Sequence, residues 1–229
     1  MVCKMKKPPK GGFFCLKLLI EKIYVLLNYF CDIYLMNNKL EAINLDEIFL
    51  SIWATQEGLS IEEYKIKEAE RKDLNDQSKK YVNLSPDKWP QLFFNWDLKL
   101  ESQIYSFHNT KNIEEIEMFH LGGLLIFSAK LIEIDSFLNP YSKRTESEIW
   151  EVGCVDKLAR AIVHLSNEKN CISPPMIIMN EAGITLTDGN HRYTAAKFSN
   201  QERIFMYTTH EYVEELDNLL KSIEWLSIE

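Results

Sequence analysis

The chain has 229 residues, and 46% of them are hydrophobic, which is enough apolar material to bury a core and argues against a disordered chain. Its formal net charge is −8 at pH 7, whereas general binding of nucleic-acid backbones depends on an excess of Lys and Arg. The composition therefore predicts a folded protein and argues against nucleic acid as a partner.

Cysteine and histidine usage bears on compartment and metal content. The five cysteines are odd in number and widely spaced, which argues for a reducing, cytoplasmic location and against a disulfide framework. The five histidines are also scattered, and no two are four residues apart, as a helical zinc-protease motif requires. We expect no structural metal.

The first predicted element is an apolar stretch from Phe13 to Met36. Its apolar side chains recur every three or four residues, while Lys17, Glu21 and Asp32 share a narrow polar stripe, as in an amphipathic helix. A membrane span would place charges such as Glu21 at the bilayer centre, at roughly 2.5 to 3.5 kcal/mol each. We expect this helix to be buried in the protein or paired with another protein chain. Attachment to a membrane surface, helped by the basic N-terminus, is the alternative.

Two more helices are predicted before residue 81. Residues 44–58 form the shorter one, and residues 60–80 form a long charged one that opens with Ser60 and Glu63 at capping-box spacing. Residues 85–100 are rich in proline and aromatic residues. We expect them to form a loop that packs on the core, with base stacking as an alternative role.

The pattern changes after residue 123. Residues 124–135 alternate as in a β-strand and lead into a loop that contains Asn139-Pro140. Thr145 and Glu148 have a second capping-box spacing, which predicts a helix through residue 168. Pro174-Pro175 would end any helix there. The remaining predicted elements are strands at 176–180, 184–187 and 203–209, and a final helix at 210–226.

These elements predict two parts. Residues 1–120 are expected to be a helical N-terminal region, and residues 121–229 an α+β domain, because strand-like alternation occurs only in the second part. The helical region is the candidate surface for a protein partner or for self-association.

One corner of the second part concentrates polar chemistry. Asp188 ends a strand, Gly189 has no Cβ to hinder a close approach, and a helix begins near Asn190. The first amides of a helix have no acceptors within it and lie at its positive end, which suits a phosphate. Arg192 adds a bidentate donor, and His191 a donor whose charge changes near neutral pH. The sequence thus predicts a phosphate-binding loop.

Two motifs and the order of their elements resemble the ParB/sulfiredoxin-like fold family over roughly residues 124–209. The motifs are "KLIEIDSFLNPYSKR" and "ISPPMIIMNEAGITLTDGNHRYTAAK". The resemblance implies a small mixed sheet with packed helices. It also implies that a nucleoside di- or triphosphate binds through the loop formed by Gly189, Asn190, His191 and Arg192.

The chain departs from the family's known activities. Sulfiredoxins place a cysteine where this chain has Asn190, so sulfinic acid reduction loses its nucleophile. ParB proteins that clamp DNA carry an arginine-rich loop followed by a helix-turn-helix region, whereas this loop has one arginine. The free-serine kinases of the same fold imply that phosphoryl transfer is possible on it.

Further site residues follow from the same resemblance. The Asn-Pro-Tyr loop lies near the nucleotide in the family, so Arg144 is a candidate phosphate ligand, and Glu146 and Glu148 are candidates for metal binding or proton transfer. Asp188 is predicted either to hold Mg²⁺ or act as a base, or to cap the helix. Two hypotheses follow. We expect a nucleotide hydrolase or phosphotransferase that uses Asp188, His191, Glu146 or Glu148, and the alternative is a non-catalytic nucleotide-sensing module.

Overall fold

The computed structural model describes residues 45–106, 116, 118, 120 and 123–226. It divides the chain into two compact units, Met1–Ala69 and Glu70–Glu229. The helix predicted at 13–36 and the boundary predicted near residue 121 lie outside the described residues, so both stay predictions. The described residues form six α-helices and two β-sheets, which makes the fold mixed α+β.

The first two helices follow the sequence pattern closely. Helix α1 spans Leu45–Gln56 and helix α2 spans Ile61–Ser78. The capping box is formed, since the Ser60 amide donates to Glu63 Oε2 at 2.8 Å and the Glu63 amide donates to Ser60 Oγ at 3.2 Å. These two bonds satisfy backbone donors that the helix itself leaves without acceptors.

The described residues contain seven strands, β1 Asn95–Trp96, β2 Leu125–Lys130, β3 Cys171–Ile172, β4 Met176–Asn180, β5 Gly183–Asp188, β6 Arg203–Thr208 and β7 Glu224–Leu226. The larger sheet has five strands in the order β5-β4-β6-β2-β7, and a two-stranded parallel sheet pairs β1 with β3. Strand β6 runs parallel to β4 and antiparallel to β2, so the larger sheet is mixed. The helices of this part are α3 Leu131–Phe137, α4 Val155–Leu165, α5 Asn190–Phe198 and α6 Val213–Leu219.

Two elements differ from the sequence prediction near the start of this sheet. The predicted strand 124–135 ends at Lys130, and helix α3 begins at Leu131. Leu131 and Ile134 are three residues apart and both are buried, so the helical spacing prevails over the strand pattern. The predicted helix 146–168 is also interrupted. Its capping box forms only a 3₁₀ turn, and α4 starts after Gly153, whose φ is 92°.

The end of the chain corrects a third prediction. The final helix ends at Leu219, and the residues predicted as its last turns form strand β7 at the sheet edge. Trp225 of β7 packs on Phe127 of β2 with ring centroids 5.3 Å apart. This apolar contact stabilises the extended conformation of residues 224–226, so tertiary packing overrides the helical pattern here.

The core lies on both faces of β6, the middle strand. Ile204 and Met206 point to the face covered by α3, α5 and α6, while Tyr207 points to the other, as the two-residue period of a strand requires. Phe94 and Trp96 pack against the cluster that contains Ile204 and Met206, so the prediction that the 85–100 segment packs on the core is confirmed.

Helix α5 is fixed by two fully buried alanines. Ala196 belongs to the cluster on the sheet, whereas Ala195 belongs to the cluster with Leu158 and Ile162 of α4. The small side chains allow close approach on both sides. Helix α5 is therefore held between the sheet and α4.

Within the described ranges no helix is long and apolar enough to cross a membrane.

Candidate functional site

The corner between β5 and α5 is built as the sequence predicts. Strand β5 ends at Asp188, α5 begins at Asn190, and Gly189 between them has a φ of 75°. A Cβ on Gly189 would lie 2.7 Å from Pro175 Cα. The glycine was expected to admit a ligand, but the group that approaches it in the structure is the chain's own Pro175. The missing side chain therefore serves packing.

Asp188 makes two contacts at this corner. Its Oδ1 accepts from the Gly189 amide at 2.7 Å, and its Oδ2 lies 3.3 Å from Arg192 Nη2. The donor, the Gly189 amide, belongs to the residue that precedes the helix, and the Asp188 side chain is still 38% exposed. Asp188 thus lies at the helix start, as required by either the capping or the catalytic alternative.

Arg192 has internal partners that the sequence did not reveal. Its Nη1 donates to the Ser173 carbonyl at 2.7 Å and also to Ser173 Oγ. The side chain is only 14% exposed, and burial lowers the pKa of the guanidinium while Asp188 opposes that effect. Arg192 therefore ties the segment before β4 to the start of α5.

His191 lies against the loop that precedes α4. A Cβ on Gly153 would be 3.5 Å from its Cε1. Burial, followed by the positive charges of Lys157 and Arg144, lowers the pKa of the imidazole to about 4. The sequence predicted that His191 changes charge near neutral pH. That prediction is wrong for the folded protein, because a pKa of about 4 leaves the imidazole neutral at pH 7.

A cleft of about 510 Å³ opens at this corner. Asp188 is the single acidic residue among the described residues that line it. Helix α4 contributes three basic side chains that the sequence interpretation missed, although their spacing of three and four residues could have indicated a common helix face. The lining residues are Leu74, Lys157, Arg160, Ala161, His164, Ile172, Asp188, Gly189, Asn190, His191 and Arg192.

The two predicted glutamates lie elsewhere. Glu148 Oε2 accepts from the Thr145 amide and from Thr145 Oγ1, each at 2.8 Å, and these bonds lower the pKa of Glu148. Glu146 lines a different groove, of about 830 Å³, near the C-terminal end of α5. Neither glutamate lines the cleft at Asp188.

Arg144 lies outside the set of residues that line the cleft. Its Nη1 donates to the Tyr141 and Lys143 carbonyls at 2.6 and 2.8 Å, which holds the guanidinium against its own loop. Its charge still acts on His191. The corner therefore brings together Asp188, Gly189, Asn190, His191 and Arg192, while Arg144 contributes only to the surrounding field.

The fit of a magnesium ion can be judged from the carboxylates present. Magnesium in proteins is held by one or two carboxylates together with substrate phosphates. Among the described residues no three His, Cys, Asp or Glu side chains are grouped to hold a metal, and the cleft offers Asp188 alone. Since that carboxylate is already paired with Arg192, these residues are a poor fit for Mg²⁺.

No protein-family model matches the chain, and neither the curated proteins nor the solved structures contain a match to it.

Proposed function

We propose that the cleft between α4 and the start of α5 binds a nucleoside di- or triphosphate through its phosphate groups. The observation that carries this proposal is the accumulation of positive charge in a concave site of a chain whose net charge is −8. Lys157 and Arg160 have no ion-pair partner among the described residues, while Asp188 is already paired. Such an excess of cations attracts a phosphate.

The ParB/sulfiredoxin-like assignment belongs to the same proposal. Its support is the order of β4, β5, the Asp-Gly loop, α5 and β6 within a mixed sheet, together with the close packing of α5 through Ala195 and Ala196. Helix α3 and strand β7 are additions to the elements on which the resemblance was based. The assignment bears on fold alone, since one fold hosts many activities.

Binding without catalysis is better supported than phosphoryl transfer. A general acid or base needs a pKa near the working pH and must reach the substrate. Glu146 and Glu148 do not line the cleft, and the low pKa of His191 makes its imidazole a weak base. We therefore favour a nucleotide-sensing module. Hydrolysis or phosphoryl transfer is the second candidate, because Asp188 retains an exposed carboxylate in the cleft.

Calorimetry with a matched nucleotide and nucleoside tests the binding proposal. We expect a nucleoside diphosphate to bind more tightly than the nucleoside with the same base, because the charged donors suit phosphate. Equal affinity, or no binding of either, would contradict the proposal.

Turnover separates the two candidates. Wild-type protein incubated with nucleoside triphosphate and Mg²⁺ is assayed for phosphate release, beside the Asp188→Asn variant. We expect no release above a protein-free control. Release by the wild type that is lost in Asp188→Asn, with the melting temperature unchanged, would favour the enzyme.

A further inference from the structure

Two cations of the cleft stand out by their spacing. Lys157 and Arg160 are three residues apart on α4, which separates them by about 4.5 Å along the helix axis. Arg160 Nε donates to the Asp156 carbonyl at 3.2 Å, so the side chain is anchored on its own helix. Neither residue forms an ion pair with an acid in the described part of the chain, and both line the cleft.

The other basic groups nearby are already engaged. His164 Nε2 lies 2.9 Å from the Cys171 carbonyl oxygen, and its Nδ1 lies 3.5 Å from the side-chain nitrogen Nδ2 of Asn170. Arg192 is held by Ser173 and Asp188. The cleft therefore presents two cations that lack an acidic partner among the residues that the structure describes.

Part of the cleft wall is apolar. Leu74, Ala161 and Ile172 contribute side chains that cannot donate or accept a hydrogen bond. A nucleobase against them would gain apolar contact but no hydrogen bond from these side chains, and such contact distinguishes one base from another poorly.

We propose that the cleft recognises the diphosphate group of its ligand, with one phosphate on Lys157 and the other on Arg160, and that it accepts any nucleobase. This inference rests on the proposed nucleotide-binding function and narrows it to a substrate class, the nucleoside diphosphates. A second phosphate gains a second cation, whereas a third phosphate meets no further unpaired cation among the described residues of the cleft.

Calorimetry on the full chain at one ionic strength, without Mg²⁺, tests this with AMP, ADP and ATP and then with GDP, CDP and UDP. Each charged contact to phosphate is expected to change affinity by about tenfold to a hundredfold. ADP should therefore exceed AMP by that factor, while ATP and ADP should bind alike, and so should the four diphosphates. Lys157→Ala and Arg160→Ala should each bring the affinity for ADP close to that for AMP.

A charge-matched control uses Lys99→Ala and Lys169→Ala, which remove exposed cations that do not line the cleft. Both should bind ADP as the wild type does. Melting temperatures of all variants identify any loss of binding caused by unfolding, and Lys157→Gln replaces Lys157→Ala if that variant melts early.

If the wild type binds no nucleotide, the proposed function itself fails. Three results would overturn the diphosphate inference alone while ADP still binds to the wild type. They are a tenfold higher affinity for ATP than for ADP, a strong preference for one nucleobase, and normal ADP affinity in the Lys157 and Arg160 variants.

Discussion

The two ends of helix α5 use charged side chains in opposite ways. At the N-terminal end, Asp188 and Arg192 form one pair, and α4 adds further cations to the same cleft. At the C-terminal end, Lys197 Nζ lies 2.8 Å from Asp135 Oδ1 and donates to the Arg144 carbonyl at 2.9 Å. The groove at this second end is the larger one, at about 830 Å³ against 510 Å³.

The comparison shows that cavity size is a poor guide to binding in this protein. The larger groove is lined by one lysine, which already has an internal carboxylate partner, and by Asp87 and Glu146. Among the described residues, the smaller cleft is lined by more cations than acids, since Asp188 is its single acid. Because an unpaired charge in a concave site is what attracts a counter-ion, the smaller cleft is the better candidate for phosphate.

The largest expected effect concerns the backbone of the N-terminal end. Gly189→Ala places a Cβ at a φ of 75° and within 2.7 Å of Pro175, so we expect a loss of about 3 kcal/mol or more in the free energy of unfolding. Gly58→Ala is the matched control, since its φ is 69° and nothing lies within 4 Å of its Cβ. Denaturant unfolding of both variants measures the difference. Equal losses would show that Pro175 gives way.

The next effect tests whether Arg192 is mainly structural. Arg192→Ala removes the donors to Ser173 and the partly buried pair with Asp188, and should lower the free energy of unfolding by about 2 to 3 kcal/mol. Arg192→Lys keeps the charge but not the forked geometry, so its loss should be intermediate. A variant as stable as the wild type that no longer binds ADP would instead assign Arg192 to the ligand.

At the opposite end, Lys197→Ala should cost about 1 kcal/mol because its pair with Asp135 is partly buried. Lys79→Ala is its control, since the Lys79–Asp76 pair has similar geometry at 2.7 Å but is exposed, so its loss should be smaller than that of Lys197→Ala. Both are measured by denaturant unfolding. Neither should change ADP affinity, and weaker ADP binding by Lys197→Ala would undo the contrast between the two ends.

The last effect appears only in acid. The pKa of His191 falls from 6.5 to about 4 in the folded protein, where Lys157, Arg160 and Arg144 oppose protonation and Asp188 favours it. The unfolded chain then binds a proton between these values and the folded chain does not, so stability is lost as the pH falls from 6.5 to 4. Melting temperatures at pH 7 and pH 5 should therefore differ less in His191→Gln than in the wild type. Equal differences would show that the ring is not held neutral.

Much of the local structure follows from short-range signals. The Ser60–Glu63 and Thr145–Glu148 boxes both form, and strands begin after Pro174-Pro175 and end at Asp188, as predicted. These features depend on backbone donors, ring constraints and side-chain periodicity within a few residues. The same signals do not set the length of an element, since one box opens an 18-residue helix and the other a 3-residue turn.

The residues that the sequence by itself placed correctly are the ones whose position depends on their neighbours in the chain, such as Gly189 between a strand and a helix. The order of strands, the helix at Leu131 and the edge strand at Trp225 depend on contacts between distant residues, and only the tertiary structure decided them. The same holds for the site. Arg192 finds Ser173, and α4 brings Lys157 beside His191, because folding brings together residues that are 19 and 34 positions apart in the chain. Periodicity can put a cation on a helix face, but the partner that the face meets is set by packing.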